Sequence, residues 1–79
     1  MGKVPKVEDL SRYQLGANIY RALRKKKWRQ KNLADELGIT DSLISKYING
    51  DVLPSYLVLY RISRALDVTM DFLVDGIEK

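Results

Sequence analysis

Residues 30–50 read QKNLADELGITDSLISKYING, and the spacing of their apolar side chains decides the fold. Leu33, Ala34 and Leu37 share one face of a helix over 30–37, because residues three and four apart line up at 3.6 residues per turn. Gly38 follows, the residue type best suited to the left-handed conformation that ends a helix. Thr40 then offers a side-chain oxygen to cap a helix over 41–49, with Ile39 and Ile44 as a hydrophobic staple around it. Ile44, Tyr47 and Ile48 line the inner face of that helix, and Gly50 closes it.

Two short helices joined by a tight glycine-containing turn make a helix-turn-helix arrangement. The flanking sequence supplies its support. Ser11-Arg12-Tyr13-Gln14 fits a capping box, and Leu15, Ile19, Ala22 and Leu23 continue at helical spacing, predicting a first helix over 12–26. Trp28 and Leu33 are placed as a staple around the start of the second. Downstream, Pro54 stops one element and Ser55 caps a fourth helix holding Leu59, Ile62 and Leu66. Thr69 caps a short fifth helix over 70–74. No stretch alternates as a strand would. The expectation is an all-α, compact five-helix bundle over residues 11–74, with helices 2 and 3 as the helix-turn-helix. Residues 1–10 read as a flexible N-terminal arm, and residues 75–79 as a C-terminal tail or the start of a linker.

Composition narrows the function. The 79 residues suit one domain and include neither cysteine nor histidine. Thiolate zinc sites and every Ser-His or Cys-His arrangement are thereby excluded, so no enzyme, no cofactor and no metal site is expected. No apolar run approaches the ~18 residues of a membrane span, and the N-terminus lacks a signal-peptide stretch, so a cytoplasmic protein without a membrane partner is expected. The net charge of +4 is unevenly spread. Residues 1–50 hold 11 Lys/Arg against 5 Asp/Glu, and the densest run is RKKKWRQK at 24–31. A localised basic patch favours a polyanionic partner, although cations at a helix end also complement its dipole.

Leu15-Gly16, QKNLA at 30–34, LGIT at 37–40, ISK at 44–46, Asn49-Gly50, Pro54-Ser55 and ALDV at 65–68 together resemble the phage-repressor-type helix-turn-helix family, the Cro/repressor or XRE-like DNA-binding domains. The resemblance runs in order, without insertions, over residues 15–73. It implies a lambda-repressor-like domain and sequence-specific double-stranded DNA binding by a prokaryotic or phage transcriptional regulator, a repressor, with helix 3 in the major groove. The implied partners are a palindromic operator on the nucleoid, a second copy of the chain in a homodimer, and an antirepressor or other regulatory protein. A protein-interaction module, an antitoxin or bridging protein with DNA binding secondary, is the rival reading.

The resemblance assigns roles position by position. Asp41, Ser42, Leu43, Ser45 and Lys46 are the base-reading candidates. Lys46 could donate to guanine O6/N7 or to phosphate, Asp41 could accept from cytosine N4, and Leu43 could meet a thymine methyl. Asp41 fits equally as a first-turn acid that complements the helix dipole, and the two serines as plain surface residues. Arg29, Gln30, Lys31 and Asn49 are the DNA-backbone candidates, with Gln30 where helix N-termini favour phosphate. Val52, Leu53, Leu57 and Val58 are apolar where the family is commonly polar, and they are the dimer-interface candidates; thickening the core is their other reading. The helical spacing of Tyr13, Tyr20, Tyr47, Tyr56 and Tyr60 favours core or interface packing over base stacking.

Three departures stand out. The family usually carries Gly at position 27 and Ser or Thr at position 29, where this chain has Lys27 and Arg29. Losing the easy left-handed residue and the N-cap costs ~1 kcal/mol each if nothing compensates, and added phosphate affinity is a plausible return. The loop after helix 3 reads Asp51-Val52-Leu53 where the family often has a cation. Many members pair an Arg at position 23 with a Glu at position 48; here Leu23 and Ile48 are predicted to touch instead.

Overall fold

The computed structural model describes residues 7–77, with side chains from Ser11 onward. Among the described residues every regular element is a helix: α1 (Val7–Lys26), α2 (Gln30–Leu37), α3 (Asp41–Asn49), α4 (Tyr56–Leu66) and α5 (Met70–Leu73). Every helix sends a wholly buried side chain into one core: Ile19, Leu33, Ile44, Ile62 and Leu73. The architecture is the all-α five-helix bundle that the sequence predicts. Helix α1 is the spine, packing most extensively on α3 and also on α4 and α5, while α2 bridges α3 and α4.

The start of α1 differs from the capping-box expectation. Val7–Leu10, read as part of an arm, form its first turn, and Ser11 lies inside the helix instead of capping it. No Gly or Pro separates Val7 from Leu15, so nothing halts the helix, and a serine one turn in is tolerated. Gln14, freed from capping, donates through Nε2 to Asn18 Oδ1 at 3.0 Å. Residues 1–6 of the expected arm lie outside the described residues. At the other end, Val74 is the C-cap of α5 and not its last residue. Ile77 packs against the core.

The caps of α3, α4 and α5 are those the sequence predicts. Thr40, Ser55 and Thr69 accept from the amides of Leu43, Val58 and Phe72 at 3.1, 3.3 and 3.0 Å, so each helix begins with one orphan donor satisfied. Two long cations complete C-termini across the bundle. Lys26 Nζ donates to the Ala65 carbonyl at the end of α4 (2.8 Å), and Arg61 Nη2 to the Leu37 carbonyl at the end of α2 (3.0 Å).

Asn18 is the buried polar hub. Fully enclosed, it donates through Nδ2 to the carbonyls of Leu73 and Asp75, both at 2.8 Å. Its Oδ1 accepts from Gln14 and Arg21. The short α5, too brief to persist alone, is thereby tied to α1.

Candidate nucleic-acid interface

The turn between α2 and α3 is built as its residues dictate. Gly38 takes the left-handed conformation at φ 71, and the Ile39 amide closes the helix end on the Ala34 carbonyl at 3.1 Å. Helix α3 is then anchored from behind by buried Ile44 and Tyr47. Its end is seated against α1, where a side chain on Gly16 would collide with the Ile48 carbonyl.

That seating fixes which α3 residues face outward. Asp41, Ser42, Lys46 and Asn49 are exposed, and Ser45 is half-buried. Residues 42, 45, 46 and 49 share one face by helical spacing. Asn49 Nδ2 reaches Ser45 Oγ at 3.4 Å, so two of these polar groups already interact. Leu43 is half-buried against the core, which leaves only part of it for a partner.

Arg29 and Lys31 are exposed at the start of α2, and Gln30 is half-buried. Arg29 occupies the N-cap, but a guanidinium has no acceptor to give the free amides. Part of the expected loss is recovered from the other side: Asn32 Oδ1 accepts from the Arg29 amide at 2.8 Å. Lys27 carries the left-handed turn that the family gives to glycine, at φ 63.

The dimer candidates divide. Leu53 and Leu57 are 54% and 67% exposed, and Val52 is also exposed, whereas Val58 is half-buried and packs on the core. Tyr56, 75% exposed, adjoins them. Among the tyrosines only Tyr47 enters the core; Tyr13, Tyr20, Tyr56 and Tyr60 stay exposed. A phenol tip tolerates water, so helical spacing alone overstated their burial. Tyr20 instead accepts from Arg24 Nη1 at 3.2 Å, and the Tyr13 ring lies over Gly50.

Sequence reasoning missed Gly16, which seats α3, and Asn18, which ties α5 to α1. Asn18 had a readable signal, a polar residue three positions after Leu15 on the apolar stripe. Gly16 had only its residue type.

The Helix-turn-helix family matches residues 19–73. An uncharacterized HTH-type transcriptional regulator, YqaE of Bacillus subtilis (strain 168), is 41% identical over 59 residues. Those residues are 75% of this chain and 51% of YqaE, so the chain spans about half the length of that curated relative. Among solved structures, the P22 c2 repressor in complex with synthetic operator 9T superposes with a TM-score of 0.71 at 29% identity, over 78% of this chain and 94% of that one. A hypothetical transcription factor from Neisseria, NHTF, shares the fold at a TM-score of 0.77 and 22% identity, over 94% and 84% of the two chains. By sequence and by fold, the chain belongs to the phage-repressor type (XRE-like) of the helix-turn-helix family.

Proposed function

We propose that the chain is the sequence-specific DNA-binding unit of a prokaryotic or phage transcriptional repressor, acting in the cytoplasm by occupying an operator. The observation that carries this reading is the outward face of α3. Ser42, Lys46 and Asn49 are exposed on a helix immobilised by Ile44 and Tyr47, and Arg29 and Lys31 are exposed at the start of α2, the helix packed against it. In this reading α3 enters the major groove, Lys46 meets a base edge, and Arg29, Gln30 and Lys31 hold phosphates. The likeness to a repressor seen with a synthetic operator supports it. Selection of bound duplexes from random DNA, followed by titration at two salt concentrations, tests it. A preferred sequence with steeply salt-dependent affinity is expected; affinity without sequence preference would overturn the base-reading role of α3.

The same reading includes a homodimer on a palindromic site, with half-sites about one helical turn (~34 Å) apart. Exposed Leu53 and Leu57 beside Tyr56 favour it, because an apolar cluster on a small domain is better covered than wetted.

A further inference from the structure

Helix α1 ends on a residue in a conformation that its type does not favour. Lys27 has φ 63, whereas three of the other left-handed residues are Gly38, Gly50 and Gly76. The remaining one, Asp67, has the short polar side chain that tolerates this region. The turn itself is well made, with the Lys27 amide donating to the Arg24 carbonyl (3.0 Å) and the Trp28 amide to the Leu23 carbonyl (2.9 Å). Glycine would make those bonds without crowding a Cβ against the following carbonyl. Lys27 therefore holds the folded state below the stability that the same turn could have.

The cations before it are engaged elsewhere. Lys26 Nζ caps α4 at Ala65 and lies 4.4 Å from the Trp28 ring centroid, and Lys25 Nζ lies 5.5 Å from that of Phe72. The Lys27 side chain is exposed and bonds to no described residue. It stands two residues before Arg29, next to the first turn of α2. Backbone strain of this kind clusters at ligand-binding sites.

The geometry points to Lys27 as a DNA-backbone contact, a phosphate-binding lysine kept in a left-handed turn at the expense of stability. This rests on the DNA-binding reading above. A phosphate contact is independent of base sequence, so its signature is the salt dependence of binding to any duplex.

The test uses the full chain, a labelled duplex of about 20 base pairs and arbitrary sequence, and thermal unfolding of the same proteins. Lys27→Gly should raise Tm on the order of 4 °C by relieving the turn. It should also lower the slope of log affinity against log salt by about one, and weaken binding roughly five- to tenfold at 0.1 M salt. Lys27→Ala removes the charge but keeps the strained backbone, so the slope should fall equally with Tm near wild type. Lys27→Arg should match wild type in both. A wild-type slope in the glycine and alanine variants would overturn the inference, while Arg29→Ala lowering the slope in the same titration would leave the DNA-binding reading standing. No salt-dependent binding by the wild type would overturn both. An unchanged or lower Tm for Lys27→Gly would overturn the exchange of stability for affinity.

Discussion

Gly16 of α1 lies directly against the Ile48 carbonyl at the end of α3. A Cβ there would overlap that oxygen and come within 2.8 Å of the Tyr47 carbonyl oxygen as well. The helix that presents Lys46 is thus seated on bare main chain, and the closeness of the two helices depends on one missing methyl group.

Two effects of opposite sign meet in Gly16→Ala. Alanine favours a helix interior by ~1 kcal/mol over glycine, but the added methyl must push α3 outward, and overpacking of this kind costs ~1–3 kcal/mol. Because the obstructing atoms are backbone carbonyls and cannot rotate away, net destabilisation is expected, with weaker DNA binding from a displaced α3. Urea unfolding gives the sign. A more stable variant would show that α3 shifts freely.

Asn18→Leu tests the link from α1 to α5. Leucine shares the branched shape of asparagine, though it is bulkier, and leaves the Leu73 and Asp75 carbonyls without their donor, at a cost of ~1–3 kcal/mol. The urea midpoint should fall with little change in slope, and amide exchange in α5 should accelerate more than in α3. Uniform acceleration across the helices would mean that Asn18 does not hold α5 in particular.

The helices were legible because their signals are local. Apolar residues recur every three or four positions, and Thr40, Ser55 and Thr69 each bond an amide only three residues away. What the sequence hid depends on partners far along the chain: Asn18 with Leu73, Lys26 with Ala65, Arg61 with Leu37. Nothing in the run RKKKWRQK says that Lys26 reaches the Ala65 carbonyl while Lys27 bonds to no described residue, because that division follows from where α4 ends. On α3 the inner residues Ile44 and Tyr47 were readable from spacing. The partial burial of Leu43 was not, since it reflects how tightly α3 settles on its neighbours.

Lys46 and Lys31 should differ in kind. Lys46→Ala is expected to weaken binding and relax the preference at one base pair by ~1–3 kcal/mol. Lys31→Ala should weaken all duplexes alike and reduce the salt slope by about one. Titration against a selected site and its single-base variants separates them; Lys46→Ala altering only the salt slope would make Lys46 a phosphate contact.

For the dimer, Leu53→Lys with Leu57→Glu alters two exposed side chains, so the fold should be retained. Binding to a palindromic site should change from cooperative to stepwise occupancy of single half-sites. Cooperative binding by the folded double variant would place the interface elsewhere.

Leu23 and Ile48 offer the sharpest test of how α3 docks. Leu23 is buried and Ile48 is half-buried against the same core. The Ile48 main chain meets α1 at Gly16, seven residues before Leu23 and therefore about 10.5 Å away along the helix axis. Only the two side chains can bridge that distance. Leu23→Arg alone should cost ~3–5 kcal/mol by burying an unpaired charge. Ile48→Glu alone should cost less, because its carboxylate keeps partial access to water. If the side chains converge, the double variant forms an ion pair and recovers ~1 kcal/mol or more of the summed loss. Additive losses would show that they do not meet, and would leave the main-chain contact at Gly16 as what seats this end of α3 on α1.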